Sequence, residues 1–380
     1  MLARDAADLA SKFLLRSTPF YVQFQLTGRC NLRCRPCCVP QRLQGLAELP
    51  IAGIAAVAEN LGRIGTTNLV LTGGEPFLRP DLPAIVEVCK RRVPHVRLQT
   101  NGLLITEENL APCVAAGLDG LTISLDSLVP RVEEELTGRP GVLPLILEKI
   151  VLINNLFPPR RGPLAVNAIL SAATCAGMRD LVGFVEGIGW SIAVVPVHVG
   201  CGSGEGFVLR QQQGRDDPGQ EYPRQAGALL QDLAARKTRG AAVANSRRYL
   251  REAEPFIRTG ETRWRQPWRT GWACDSPNLY FAVRPDGSFS VCHDFSFPER
   301  VDVADPGFPE LFRKPEFRAR VKDAAAACPG CYYGCYPEYT WMFRSPRNFF
   351  ETCWGYAWSL LRPRRRRLEL SRVLGCLRAG

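Results

Sequence analysis

Four cysteines fall close together in the stretch "LTGRCNLRCRPCCVP" (26–40), and three of them, Cys30, Cys34 and Cys37, have the spacing CxxxCxxC. Thiolates hold iron–sulfur clusters, and a short loop with this spacing can bind three corners of a four-iron cube while the fourth iron stays open. An open coordination position is where chemistry takes place. For the triplet alone, a structural zinc knuckle or buried cysteines are the alternatives. The extra thiol, Cys38, is not expected to be a ligand.

A glycine-rich motif, "LTGGEP" (71–76), follows at the end of a predicted strand. Gly73 and Gly74 would allow the backbone to approach a ligand closely. The carboxylate of Glu75 could pair with an ammonium group. The alternative for this motif alone is an ordinary turn, because two glycines before a proline are common in loops.

Two further strand ends carry polar residues, in "LQTNG" (98–102) and "TISLDS" (122–127). Side chains two positions apart on a strand face the same way. Ser124 and Asp126 would therefore present a hydroxyl and a carboxylate together, a pair suited to ribose hydroxyls.

The elements that position these motifs are short apolar runs alternating with longer amphipathic stretches, a pattern that predicts repeated βα units and a parallel sheet. Helices are expected between the strands, for example at 82–92 and 143–155. Six strands are too few for an eight-stranded barrel, so the fold class is α/β, an open partial (β/α)6 TIM-like barrel with functional loops at the carboxyl ends of its strands. The predicted strands are Tyr21–Leu26, Asn68–Leu71, His95–Thr100, Gly120–Leu125, Leu164–Leu170 and Ser191–His198.

The motifs, in this order on successive strand ends, resemble the radical S-adenosylmethionine (SAM) superfamily, whose signature after the first strand is matched by "CNLRCRPC". The resemblance implies a [4Fe-4S] cluster on the three loop cysteines, with SAM at its open iron and the SAM amino group held by the GGEP segment. Pro36 stands where the family usually has an aromatic residue. Further SAM contacts are implied at Asn101, Ser124, Asp126, Asn167 and Pro196. Asn167 and Pro196 are assigned by position alone, and a core or strand-end role is their alternative.

A second group of cysteines lies in a small C-terminal region. Cys274 and Cys292 flank a segment in which "RPDG" predicts a hairpin turn, and "CPGCYYGC" (328–335) follows. This region resembles the auxiliary-cluster domain called SPASM, or its short form, Twitch. The resemblance implies one auxiliary iron–sulfur cluster, expected to be [4Fe-4S], and Cys335 either replaces one of its ligands or stays free. For this region alone a zinc ribbon is the alternative. The implied ligands are Cys274, Cys292, Cys328 and Cys331.

The resemblance also implies a reaction, in which SAM is reductively cleaved and a 5′-deoxyadenosyl radical abstracts hydrogen from a substrate. An electron donor such as flavodoxin or ferredoxin would be a partner. The expected substrate is a natural product, either a ribosomal peptide or a sugar or aminocyclitol, and the outcome is oxidation, cross-linking or epimerisation. Cys335 and Cys353 are candidate hydrogen donors. The alternatives are an RNA-modifying radical SAM enzyme and a non-catalytic, metal-stabilised binding protein.

The net charge of +11 is concentrated at one end of the chain. Residues 362–380 hold seven arginines and one acid, which supply +6, and two clusters would lower the remaining +5 to about +2. So weak a field does not favour a nucleic-acid partner. In the tail, a shared helix face predicts peripheral contact with an anionic membrane, and a solvated end is the alternative. The residues of that face are Leu368, Val373, Leu374 and Leu377.

Changes in composition divide the chain into five expected segments. They are a helical lead-in (1–19), the radical SAM partial barrel (20–200), a linker with helices (201–270), the auxiliary-cluster domain (271–353) and a basic tail (354–380). A membrane span needs about 18 consecutive apolar residues, and no stretch has them. Asp5 and Asp8 stand where a secretory signal needs an apolar core, so a cytoplasmic location is expected.

Overall fold

Six parallel strands alternate with helices in the computed structural model, as the apolar periodicity predicts. The structure describes residues 2–15, 17–158, 162–197, 221–260, 262–265, 274–328, 330–361 and 366–375. Every strand begins at the predicted residue and ends within two residues of the predicted end, with position 198 outside the described part. The strands are β1 (Tyr21–Gln25), β2 (Asn68–Thr72), β3 (His95–Thr100), β4 (Gly120–Ser124), β5 (Leu164–Leu170) and β6 (Ser191–Pro196).

The helices of this α/β unit cover one face of the sheet with apolar side chains. The buried side chains of these helices include Ile54, Leu61, Ile85 and Ile146, each 1% exposed or less. The predicted helices at 82–92 and 143–155 are present with ends shifted by at most two residues. The helices are α1 (Leu2–Leu15), α2 (Val39–Arg42), α3 (Ile51–Arg63), α4 (Leu82–Lys90), α5 (Glu107–Ala115), α6 (Pro130–Thr137), α7 (Val142–Leu156) and α8 (Met178–Gly187).

The predicted hairpin after Cys274 is present, and it belongs to the main sheet. Its strands, β7 (Tyr280–Val283) and β8 (Phe289–Ser290), pair antiparallel around a turn in which Gly287 has φ +79°. β7 also pairs in parallel with β1, with Tyr21 opposite Tyr280. The sheet order is therefore β6-β5-β4-β3-β2-β1-β7-β8, an open sheet with β6 and β8 at its edges.

Two further groups of helices close the fold. Helices α9 and α10 pack together after β6, and four more follow the hairpin ahead of the tail. Residues 201–220 of the predicted linker lie outside the described residues. The helices are α9 (Glu221–Thr238), α10 (Arg247–Thr259), α11 (Phe308–Arg313), α12 (Pro315–Ala326), α13 (Cys335–Arg344) and α14 (Pro346–Leu361).

The apolar core of the barrel continues beneath the hairpin. Phe281 and Phe289 have ring centroids 5.0 Å apart, and Phe317 of α12 meets Phe289 edge-on at 5.4 Å. The amide of Asn60 in α3 donates to the carbonyls of Val303 and residue 305, both at 2.8 Å. Since Asn60 is buried, these bonds fix the hairpin region against the barrel helices.

The described part of the tail packs on the barrel, contrary to the predicted membrane face. Residues 370–375 form a short helix, α15 (Leu370–Gly375), against α7, with Val373 only 3% exposed and Leu368 packed on the core. Asn155 of α7 exchanges two hydrogen bonds of 3.0 Å with the backbone of Leu368. The apolar residues predicted to face a lipid surface thus pack against the protein itself. Leu377 is the exception, because it lies outside the described residues. No described helix combines the length and apolarity of a membrane span.

Candidate functional site

A cavity of about 2120 Å³ lies against the inner face of the six parallel strands. Alternate strand residues face it, as the two-residue period of a strand requires, so Thr122 and Ser124 of β4 both line it. Most of the residues predicted to bind SAM or its cluster converge there. They are Cys30, Cys34, Cys37, Gly73, Gly74, Asn101, Ser124, Asp126 and Asn167.

The two glycines of GGEP hold the base of the cysteine loop. A Cβ atom at position 73 would lie 2.4 Å from the Thr27 carbonyl oxygen, and one at position 74 would lie 2.0 Å from that of Arg29. The amide of Gly74 donates to Thr27 O at 2.8 Å. Gly73 also has φ +139°, which side-chain-bearing residues rarely adopt. The glycines therefore permit the close contact of two loops, in addition to any approach to a ligand.

The three loop thiols lie close to one another at the cavity wall. Burial raises the pKa of each, and that of Cys34 reaches about 12, because Cys37 and Cys30 add like charge when ionised. Two donors point at the Cys30 sulfur, the Leu32 amide at 3.4 Å and the Asn101 side chain at 3.8 Å. Thiols placed so that their thiolates repel one another suit a cationic metal centre, which stabilises the deprotonated form.

Glu75 lies beneath this loop rather than at the cavity surface. Its side chain is fully buried, and its oxygens accept from Thr100 Oγ1 at 2.7 Å and from the amides of Asn101 and Phe77 at 2.9 and 3.0 Å. A carboxylate offers about four lone-pair sites, so one acceptor site remains for the predicted ammonium partner. Burial raises the pKa of Glu75, and the three donors oppose that effect. The side chain joins the end of β2 to the end of β3.

The predicted ribose pair has the expected orientation. Ser124 and Asp126 both line the cavity, and Asn167 lies opposite Ser124 in the β4–β5 register. Asp126 Oδ1 accepts from the Ile169 amide at 2.7 Å. This bond fixes the carboxylate and leaves Oδ2 able to accept from another partner. These three side chains form a polar strip across the ends of β4 and β5.

Glu133 of α6 belongs to the same strip and was missed from the sequence. It is 2% exposed, lines the cavity, and its Oε2 accepts from the amides of Asp126 and Ser127 at 3.1 and 2.9 Å. Burial raises the pKa of both Asp126 and Glu133, and the Asp126 charge raises that of Glu133 further. An acid in the first turn of a helix that follows a strand-end loop was the available sequence signal.

Pro196 is a buried residue at the end of β6, whereas Ser191, Ala193 and Val195 line the cavity. Because strand side chains alternate, the side chain of Val195 faces the cavity and that of Pro196 lies on the other face. The SAM contact at Pro196 stays a prediction.

The cysteines predicted to hold an auxiliary cluster also lie together. Burial raises the pKa of all four thiols, and Cys331 interacts electrostatically with Cys292, Cys328 and Cys274. Phe295 N donates to the Cys292 sulfur at 3.2 Å. Cys274 Sγ lies 3.2 Å from the hydroxyl of Tyr280 on β7.

Neighbouring side chains fix the backbone around these thiols. Trp264 Nε1 donates to Cys331 O at 2.6 Å, and Arg265 donates to Cys328 O. Next to Cys274, Asp275 forms a bidentate ion pair with Arg344 of α13, with both contacts at 2.9 Å and both side chains buried. A buried pair of this geometry orients the segment that carries Cys274.

Within the described residues, no group of three or more His, Cys, Asp or Glu side chains is already arranged at metal-binding geometry. Both sets of thiols nonetheless fit the predicted clusters by donor type, since iron–sulfur clusters are held by thiolates. Cys38 lies outside both sets because it is disulfide-bonded.

The two candidate hydrogen donors line the same cavity. Cys335 is the first residue of α13, hydrogen-bonds to Tyr21 and has a pKa raised to about 12 by burial. Its thiol also interacts with the hydroxyls of Tyr336 and Tyr339. Cys353 of α14 is half-buried. Cys335 therefore has tyrosine neighbours at the cavity, which favours a free thiol over an auxiliary ligand.

Comparison with known proteins identifies one segment of the chain. Residues 24–159 match the family model described as the Radical SAM superfamily. GTP 3′,8-cyclase of Paenarthrobacter nicotinovorans is 32% identical over 175 residues, covering 44% of this chain and 47% of that protein. PqqA peptide cyclase of Gluconobacter oxydans is 35% identical over 176 residues, covering 46% and 48%. The chain spans about half the length of these curated relatives.

Solved structures share the fold over most of the chain. Streptococcus suis SuiB bound to the precursor peptide SuiA has a TM-score of 0.60 at 13% identity, covering 84% of this chain and 71% of that one. Native anSMEcpe with bound AdoMet and Kp18Cys peptide has a TM-score of 0.58 at 13% identity, covering 95% and 100%. At this identity the likeness is one of fold.

Proposed function

We propose that this chain, whose residues 24–159 form a radical SAM domain, is an enzyme that uses SAM to abstract hydrogen from a peptide. The observation that carries the proposal is the convergence of three loop cysteines with the polar ends of β2 to β5 on one cavity. These cysteines would hold an iron–sulfur cluster which, together with bound SAM, would supply the radical chemistry that removes a hydrogen atom. Flavodoxin or ferredoxin is the proposed electron source.

The chain's own residues position the reactants. Cys30, Cys34 and Cys37 hold the cluster, and Gly73 and Gly74 keep their loop against the end of β2. The strip formed by Ser124, Asp126 and Asn167 binds the ribose of SAM, with Asp126 aligned by the Ile169 amide. Asn101 orients the loop through its bond of 2.8 Å to Asn31 Oδ1.

A peptide is favoured over a sugar or aminocyclitol as the substrate. The cavity of about 2120 Å³ has room for the cluster, SAM and a substrate together, since a single small-molecule site typically takes about 300–1,000 Å³. PqqA peptide cyclase is among the sequence relatives, and SuiB and anSMEcpe share the fold as peptide-bound structures. Cys274, Cys292, Cys328 and Cys331 hold one auxiliary cluster beside the cavity in this proposal, and oxidation or cross-linking of the peptide is the expected outcome.

The test is anaerobic reconstitution followed by assay for 5′-deoxyadenosine. The wild-type protein should form it from SAM and dithionite, whereas the Cys30→Ala/Cys34→Ala/Cys37→Ala variant should not. Cys89→Ala, a buried cysteine in α4, is the matched control and should retain activity. Product mass shifts with peptide, aminocyclitol and tRNA substrates then identify the substrate class. Equal activity in the triple variant and the control refutes the proposal.

A further inference from the structure

One arginine inside the barrel has no counter-charge. Arg97, the third residue of β3, lines the cavity, and its Nε atom is buried without a hydrogen-bond partner. Among the described residues it forms no ion pair and no hydrogen bond. Three other cations of the cavity wall are paired, Arg42 with Asp294, Lys90 with Asp119 at 2.5 Å and Arg247 with Glu351 at 3.0 Å, whereas Arg239, which also lines the cavity, is exposed to solvent. A charge held in a cavity without a partner costs free energy, and an anionic ligand removes that cost.

The strands on either side of Arg97 leave room for such a ligand. The β-sheet register places Val70 of β2 and Gly120 of β4 next to it. The Val70 side chain has no hydrogen-bond acceptor, and Gly120 has no side chain. The space beside Gly120 is closed by the Pro163 carbonyl oxygen, which would lie 2.6 Å from a Cβ there and accepts from the Leu121 amide. The side chains next to Arg97 on the two neighbouring strands therefore leave its guanidinium facing the cavity.

Hydroxyl and thiol groups lie around the same space. Tyr21 and Tyr339 both interact electrostatically with Arg97 and with Cys335, and all of them line the cavity. Burial raises the pKa of both tyrosines, so their hydroxyls keep their protons at neutral pH and can donate hydrogen bonds. These groups add donors beside the positive charge.

We propose that Arg97, with the hydroxyls of Tyr21 and Tyr339 beside it, binds a carboxylate group of the substrate. The planar guanidinium matches the two oxygens of a carboxylate, and one negative charge neutralises it. A phosphate dianion calls for a second desolvated cation, whereas Lys90 and Arg247 are already paired and Arg239 is exposed to solvent. At about 3.3 Å per strand residue, Arg97 lies about 13 Å from Asn101, below the proposed SAM level.

This inference rests on the proposed function and narrows its substrate to a peptide with an acidic side chain or a free C-terminus. The carboxylate anchors one end of the peptide deep in the barrel. Cys335, which hydrogen-bonds to Tyr21, then lies beside the anchored segment.

The experiment measures the reaction of phenylglyoxal, a reagent for guanidinium groups, with the full-length reconstituted protein by mass spectrometry. Glutarate, glutaramide and inorganic phosphate are the probes, compared at equal ionic strength. Saturating glutarate should slow modification of Arg97 by about tenfold or more and glutaramide should not, because only glutarate carries carboxylates. Arg92, which is exposed and pairs with Glu59, is the internal control and should react at the same rate throughout.

A variant extends the test. Arg97→Gln should weaken glutarate binding by about tenfold to a hundredfold. Binding is measured from the rise of melting temperature with glutarate concentration. Arg92→Gln should leave it unchanged. Unprotected Arg97, or protection by phosphate at lower concentration than by glutarate, overturns the carboxylate site. 5′-Deoxyadenosine formation in the same preparation separates the two claims: SAM cleavage without protection refutes only this inference, and protection without SAM cleavage refutes only the proposed function.

Discussion

The α carbon of Gly74 lies so close to Arg29 that a Cβ atom there would come within 2.0 Å of the Arg29 carbonyl oxygen. The amide of the next residue, Glu75, donates to that same oxygen at 2.8 Å. The segment after β2 and the cysteine loop after β1 are thus in backbone contact, and a change in one displaces the other.

Gly74→Ala should therefore destabilise the protein by about 2 kcal/mol or more and lower the iron retained after reconstitution, because backbone atoms must move. Gly183→Ala is the matched control. Position 183 is inside α8 with no atom within 4 Å of the added Cβ, so alanine there should stabilise by about 0.5–1 kcal/mol. Urea unfolding and iron analysis measure both effects. Equal iron content in the two variants would disprove the loop contact as a determinant of the site.

Glu75→Gln should lower stability by about 1–3 kcal/mol, since an amide NH₂ would face donors that now bond to carboxylate oxygens. The affinity for SAM should fall as well, because the substitution weakens the bond that positions Asn101 and removes the carboxylate charge predicted to pair with the SAM ammonium group. Glu87→Gln, on exposed α4 surface, is the control and should change neither quantity. Denaturant midpoints and equilibrium dialysis with SAM provide the measurements. An unchanged midpoint for Glu75→Gln would show that its three hydrogen bonds contribute nothing net.

Iron content should distinguish Cys292 from Cys335. Reconstituted wild-type protein should bind about eight iron atoms if both clusters are four-iron clusters. Cys292→Ala should reduce this to about half, because Cys292 belongs to the group of four thiols, whereas Cys335→Ala should retain all of it. The reverse result would make Cys335 the ligand and remove it from the candidate hydrogen donors.

Glu338 of α13 should make stability fall as pH rises. Burial raises its pKa to about 7, from 4.5, although its Oε1 accepts from the Ser246 amide at 2.6 Å. Between pH 4.5 and about 7 the folded protein holds a proton that the unfolded chain has lost, so the free energy of unfolding decreases by up to about 1.4 kcal/mol per pH unit. Glu338→Gln should flatten that part of the profile relative to wild type in urea titrations at several pH values. A parallel profile would contradict the assignment.

Much of the fold follows from local sequence. Buried apolar runs such as 164–170 of β5 specify strands, and the turn signal "RPDG" specifies the hairpin. The pairing of β7 with β1 joins residues more than 250 positions apart, and periodicity carries no information about such a partner. The burial of the tail's apolar face likewise depends on a contact with α7, a distant partner that periodicity does not reveal.

The sequence predicted which residues converge on the cavity where a motif fixes both residue type and spacing, as for the cysteine loop and the polar residues Ser124 and Asp126. For Pro196, position at a strand end does not determine the face on which a side chain lies, and its SAM contact stays a prediction. Glu133 and Arg97 were missed because their significance depends on three-dimensional surroundings, a pair of amides for Glu133 and, for Arg97, a buried Nε atom with no hydrogen-bond partner among the described residues.

The pairing of β7 with β1 also determines where the chain can tolerate insertions or deletions. The cysteine loop leaves the carboxyl end of β1, and the hairpin flanked by Cys274 and Cys292 is bonded edge to edge with the same strand. The spacing between the cysteine loop and the hairpin is therefore set by strand pairing and not by the length of the chain that joins β6 to β7. Changes of length in that connection ahead of Trp264 and Arg265, which bond to the carbonyls of Cys331 and Cys328, should leave the separation of the two candidate sites unchanged.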